Sequence, residues 1–218
     1  MAALVVHLLA ASNIKEGDTV GANFSGSFPA LNIAVLSACE VLNVDVVYIS
    51  SIGSSNYGAN QPDFTFPDMA NYLVNKGILS SDNSLVSPGG EDDIGSNMDT
   101  DVLEDIIQRI KSYGIEVMEE SNFQRNVKRR REIFDNKTID VFINVGGNIT
   151  SMGLYESPES IQRKSLFDNR KIADDTRGLI DIYSSQGIPT INLLNIKRLT
   201  SEYGLPYDPV KLPDIGEG

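Results

Sequence analysis

The stretch TVGANFSGSFPALNIAVLSACEVLNVDVVYIS, residues 19–50, decides the fold. Thr19-Val20-Gly21-Ala22 starts a short strand that runs into a loop, Asn23-Phe24-Ser25-Gly26-Ser27-Phe28-Pro29. Proline is well tolerated in the first turn of a helix, so a helix is expected from Pro29 to Leu42. Its apolar positions Leu31, Ile33, Ala34, Val35, Leu36, Ala38 and Val41 leave little polar face, as in a helix laid against a sheet. Asp45 to Ser50 follows as a β-branched run, the kind that a parallel sheet buries on both faces. Strand, loop, helix and strand in this order make one crossover unit of an α/β protein.

The alternation continues on both sides. Upstream, Met1 to Ala11 reads as a helix ending near Asn13, and Lys15-Glu16-Gly17-Asp18 turns the chain into the first strand. Downstream, Phe66-Pro67-Asp68-Met69 opens a helix to Asn75, with Gly77 at its C-terminal cap. A third strand is expected at Leu85-Val86. A helix over Asp101 to Tyr113 follows, with Val102, Ile106, Ile107 and Ile110 on one face. Ile115 to Met118 predicts a fourth strand, Phe123 to Phe134 a basic helix, and Ile139 to Val145 a fifth strand. A helix from Asp175 to Ser185 precedes the sixth strand, Pro189 to Leu194, and a last helix covers Ile196 to Tyr203. Residues 205–218, with Pro206, Pro209 and Pro213, read as an extended tail. The expectation is a single α/β domain over residues 1–218. It is three-layered, with a mostly parallel, Rossmann-like sheet and helices on both faces.

Composition narrows the function. The chain has 218 residues and a formal charge of −12. That argues against nucleic acid, whose phosphates demand Lys and Arg. Cys39 is the only cysteine, so no intramolecular disulfide can form, and its apolar helix marks it as a buried, inert thiol. His7 is the only histidine and belongs to the opening helix, away from every loop that follows a strand. A Ser-His-Asp triad and the usual zinc ligand sets are therefore disfavoured. No run of ~18 apolar residues could span a bilayer. Met1 to Ala11 lacks the basic start and cleavage pattern of a signal peptide. Because the chain opens inside a helix, further targeting sequence is expected upstream.

The informative segments leave the strands. In an open parallel sheet such loops share the rim at the strands' carboxyl ends, where ligands bind. Ser25-Gly26-Ser27 is a turn at a helix start that suits an anion. Ser25 or Ser27 would cap the helix, bond a carboxylate or phosphate, or act as a nucleophile. The G-x-S-x-G, Walker and G-x-G-x-x-G patterns are absent. Gly53 to Asn60 offers neutral donors and acceptors, with Gly53, Ser54, Asn56 and Tyr57 as binding candidates. Gly146, Gly147 and Asn148 form a similar loop. Glu91, Asp92 and Asp93, after Gly89-Gly90, are candidates to hold Mg²⁺ or Ca²⁺, with Asp92 or Asp93 as a general base. Solvated or capping acids are the plainer reading. Lys128-Arg129-Arg130-Arg131 reads as a solvated helix face, or as a patch that steers a polyanion.

Several ordered blocks resemble one family. These are Ser25-Gly26-Ser27-Phe28-Pro29-Ala30-Leu31, Ser54-Ser55-Asn56-Tyr57-Gly58-Ala59-Asn60 and Gly90-Glu91-Asp92-Asp93-Ile94-Gly95. Phe142-Ile143-Asn144-Val145-Gly146-Gly147, Asn192-Leu193-Leu194-Asn195-Ile196-Lys197 and Tyr203-Gly204-Leu205-Pro206 continue the likeness over nearly the whole chain. Together they resemble the poly-gamma-glutamate system protein family, associated with capsule polymer synthesis. The resemblance implies an anionic polymer or γ-glutamyl ligand. It also implies membrane-bound synthesis and export components as partners, and a soluble domain of a bacterial protein with an upstream membrane anchor. It carries no established reaction. Two functions fit: hydrolysis or transfer at γ-glutamyl amide bonds, and a non-catalytic module that binds polymer or partner.

Overall fold

The computed structural model describes residues 1–53, 61–90, 92–154, 174–208 and 210–211. Its centre is β1 (Thr19–Phe24), flanked by β2 (Asp45–Ser51) and β4 (Val141–Val145). β3 (Leu85–Ser87) lies outside β2, and β5 (Thr190–Leu193) lies outside β4. All pairings are parallel, in the order β3-β2-β1-β4-β5. This is a doubly wound, Rossmann-like α/β sheet. The winding reverses between β1 and β4, the place where such sheets open a crevice at their carboxyl edge.

Helices cover both faces. Val20, Ala22 and Phe24 of β1 face one core, which packs with α1 (Ala2–Ala11), α2 (Pro29–Leu42) and α3 (Phe66–Asn75). Residues of alternate parity face the other side, because successive strand residues point to opposite faces. There Val47, Ile49, Leu85 and Phe142 meet α5 (Phe123–Asp135) and α7 (Leu179–Ser185). α4 (Thr100–Ser112) packs Ile106, Ile107 and Ile110 on Val86 and Ile52 at the β3 edge. Two short helices complete the described chain, α6 (Ile149–Met152) after β4 and α8 (Ile196–Glu202) after β5. Among the described residues no helix is long and apolar enough to cross a membrane.

Several boundaries differ from the sequence reading, each for a local reason. Asn23 and Phe24 belong to β1, not to the loop. Their ladder with β2 and β4 continues to Ser50 and Val145, and Phe24 is wholly buried. Ile115 to Met118 makes no fourth strand. Only Val86 of the short β3 pairs with it, donating to the Glu116 carbonyl at 2.9 Å and accepting from the Met118 amide at 2.8 Å. The helix expected from Asp175 is a 3₁₀ turn, Asp174–Thr176, and then α7, because Gly178 between them is extended (φ −87°, ψ 175°). Most of the tail, residues 209 and 212–218, lies outside the described residues.

Candidate functional site

The loops that leave the strands meet side by side along the carboxyl edge. The Ser25 amide extends the ladder by donating to the Val145 carbonyl at 2.9 Å. Gly26 then folds onto the end of β2, its amide donating to Ser51 Oγ at 3.1 Å. A Cβ on Gly26 would stand 2.6 Å from the Ser51 carbonyl oxygen and 2.8 Å from that of Ile52, so only glycine fits. Gly146 meets the same turn from the β4 side. It has φ +86°, and a Cβ there would lie 2.6 Å from Ser25 Cβ. On the outer side the Gly53 amide donates to the Pro88 carbonyl at 2.5 Å, joining the loops after β2 and β3. Ser25, Gly26, Gly53 and Gly146 are thus near neighbours at the carboxyl edge.

At the centre is the N-terminus of α2. α4, α5 and α8 begin on side-chain acceptors, namely Asp99, Asn122 and Asn195. α2 has no side-chain cap, although Ser25 and Ser27 stand beside it. Their hydroxyls bond each other at 2.8 Å. The Ser25 carbonyl accepts from the Phe28 amide at 3.2 Å and from Asn32 Nδ2 at 2.9 Å, which shapes the turn. Among the described residues, the amides of Ser27, Ala30 and Leu31 have no acceptor. Donors in a helix's first turn, with the helix dipole behind them, favour an anion. Gly147 is exposed beside this turn and Asn148 half-buried. The Asn148 side chain donates to the Val145 carbonyl at 3.1 Å.

Asp92 and Asp93 do not act as one group. Asp92 is exposed, whereas Asp93 is buried, with φ +60° turning its side chain inward. Asp93 Oδ1 accepts from Ser87 Oγ at 2.7 Å; Oδ2 accepts from Asn126 Nδ2 at 2.8 Å and from Arg130 Nη2 at 2.5 Å. That donor set does not suit Mg²⁺ or Ca²⁺, because both carboxylate oxygens are already taken. Among the described residues no group of three or more His, Cys, Asp or Glu could hold a metal ion. Glu91, like Ser54, Asn56 and Tyr57, lies outside the described residues. The basic run is also divided, which corrects its reading as one solvated face. Arg129 pairs with Glu116 and Arg131 with Asp135 at the surface, but Arg130 is only 2% exposed.

Sequence reasoning missed the polar layer beneath this rim. Asn23, Asn144 and Asn192 stand in register across β1, β4 and β5, on the α5–α7 face. Asn144 Nδ2 donates to Asn192 Oδ1 and to the Gly146 carbonyl, both at 2.8 Å. Asn23 accepts from Arg130 Nη1 at 2.6 Å and donates to Ser151 Oγ, also at 2.6 Å. Two signals were available. Each asparagine interrupts an apolar strand near its end, and Arg130 shares the buried stripe of α5 with Asn126, Val127 and Phe134.

No family model matches the chain, and no curated protein matches it at a significant level. Among solved structures it is similar to CurA from Vibrio vulnificus in complex with NADPH. Identity is 11% and the TM-score 0.37, over 95% of this chain and 53% of that one. It is also similar to a mutant enoyl thioester reductase from Candida tropicalis, with 14% identity and a TM-score of 0.31 over 91% and 45%. A mutant Etr1p in complex with NADP and crotonyl-CoA gives 14% identity and a TM-score of 0.34 over 93% and 46%. The chain spans about half the length of these structures. Superpositions this loose carry nothing about ligand or reaction.

Proposed function

We propose that the chain is a component of a poly-γ-glutamate biosynthesis or handling system. Its rim between β1 and β4 would take a carboxylate of the γ-glutamyl unit. The observation that carries this reading is the uncapped start of α2, where first-turn amides stand beside the paired hydroxyls of Ser25 and Ser27. A carboxylate there gains charge-assisted bonds from N–H groups already held in place. The chain's charge of −12 sets a condition on this binding. An acidic protein repels a polyanion at long range, so the site must act on a local carboxylate with short, directional contacts. The membrane-bound synthesis and export components named by the family resemblance are the expected partners.

Binding is favoured over cleavage. Ser25 and Ser27 bond each other, and among the described residues neither hydroxyl meets a carboxylate or imidazole. Asp93 is committed to Arg130, and His7, on α1, meets the Tyr203 ring edge to face at 5.7 Å. A serine nucleophile needs a base within hydrogen-bond reach.

The test is to titrate γ-linked glutamate oligomers into the protein by calorimetry, with α-linked oligomers as control. Polymer length is followed in parallel, with and without Mg²⁺ or Ca²⁺. Selective binding that weakens in Ser27→Ala and is lost in Gly26→Ala supports the reading. Shortened polymer would replace the binding module by the hydrolase, and absence of both binding and cleavage would remove the proposal.

A further inference from the structure

A guanidinium is costly to bury, and a methionine would cover the same apolar surface on α5 without that cost. Arg130 nevertheless occupies the stripe between Val127 and Phe134 at 2% exposure. We propose that Arg130 is the positioning residue of the rim, tying the loop after β3 to the turn after β4 so that both halves keep one shape. Its effect on ligand affinity rests on the function proposed above; the mechanical coupling does not.

The planar fork of an arginine fixes the direction of each partner. Here Nη2 donates to Asp93 Oδ2 at 2.5 Å and to Ser87 Oγ at 2.7 Å, at the end of β3 and in its loop. Nε donates to Asn126 Oδ1 at 2.8 Å, within α5. Nη1 donates to Asn23 Oδ1 at 2.6 Å, at the end of β1. Asp93 holds a left-handed backbone conformation, φ +60°, that non-glycine residues rarely adopt.

The bond to Asn23 carries the coupling onward. Because Arg130 occupies Oδ1, the amide must present Nδ2 on its other side. There it donates to Ser151 Oγ at 2.6 Å and to Thr150 Oγ1 at 3.3 Å. Without Arg130 the amide is free to turn over. α6 is a single turn of four residues and carries both hydroxyls. It follows Gly146-Gly147-Asn148 directly, so its position sets that side of the rim.

The experiment is hydrogen exchange on the full chain, read at the amides of Ser151, Met152 and Gly153, which bond the carbonyls of Asn148 and Ile149. Asp93→Asn touches no residue of α6, yet exchange at these amides should rise roughly tenfold, a typical coupling within one network. Amides of β1, and of α2 beyond its first turn, should stay protected. In an Arg130→Met background, Asp93→Asn should add nothing further at α6. Ser151→Ala, which leaves the buried pair intact, should loosen α6 and spare the Gly95 amide in the β3 loop. Unchanged α6 exchange in Asp93→Asn overturns the proposal, as does an increase that persists undiminished in Arg130→Met. Affinity for a γ-glutamyl oligomer should fall in Asp93→Asn, and normal affinity there would overturn the positioning of the ligand site. Wild-type protein that ignores the oligomer removes the functional reading alone, and the exchange data still decide the coupling.

Discussion

Two rows of side chains, one residue apart, cross β1, β4 and β5 in register. Phe24, Val145 and Leu193 form one and face α1 to α3; Asn23, Asn144 and Asn192 form the other and face α5 to α7. Phe24, Val145 and Leu193 are wholly buried. Phe24 also packs on Tyr48 and Phe66, with ring centroids 5.3 and 5.9 Å away. The asparagine row is equally close to the strand tips but is spent on hydrogen bonds to α6 and to the Asp93–Arg130 pair. One face of the sheet thus anchors the fold by hydrocarbon burial. The other gives up some of that burial to hold the rim in place.

Substitutions in the two rows can break this contrast. Phe24→Ala should have the largest effect, about 4 kcal/mol, because it opens a cavity where neighbours cannot collapse. The urea midpoint reads it, and a loss under 1 kcal/mol would deny the apolar row its role. Arg130→Met alone should cost about 3 kcal/mol, since the buried Asp93 carboxyl keeps its bonds from Ser87 and Asn126 but loses its counter-charge. Adding Asp93→Asn should recover most of that loss. Asn144→Leu should cost only about 1 kcal/mol, because the Gly146 carbonyl and Asn192 Oδ1 lose a donor while apolar burial is gained.

Two groups on the apolar side sharpen the comparison further. Burial alone would raise the pKa of Asp68. Hydrogen bonds from Arg109, from the Thr65 side chain and amide and from Tyr113 outweigh it and hold the carboxyl below its usual range. A depressed folded pKa stabilises above the unfolded value of ~3.9 and is lost as pH falls through the folded pKa. Asp68→Asn should therefore flatten the acid side of the stability–pH curve, and an unchanged slope would contradict the assignment. The smallest signal is chemical. Burial, and then the neighbouring Glu40 charge, push the Cys39 thiol up to about 12. Thiol reagents should leave native protein unlabelled, label Phe24→Ala faster, and leave Asn144→Leu unchanged.

What the chain made legible was local. α2 and α3 begin and end where their prolines, apolar positions and end residues place them, and Ser25-Gly26-Ser27 is the turn that leads from β1 into α2. Ile115 to Met118 misled because a short apolar run says nothing about how much edge its partner offers. Adjacency in sequence makes Asp92 and Asp93 look like one group, because it hides which way a left-handed residue turns its side chain. The charge of its neighbours masks Arg130, although positions 126, 127, 130 and 134 fall on one helical face. Non-local polar pairs such as Asp93 with Arg130 leave no spacing rule in a single sequence.

The proposed role of the turn at the start of α2 is to receive a carboxylate. Amide chemical shifts of isotope-labelled protein, followed while a γ-linked glutamate oligomer is added, test it directly. The account predicts saturable shifts at Ser27, Ala30 and Leu31, with smaller ones at Gly146 and Gly147. Shifts confined to other surfaces, or none at saturating oligomer, would contradict it.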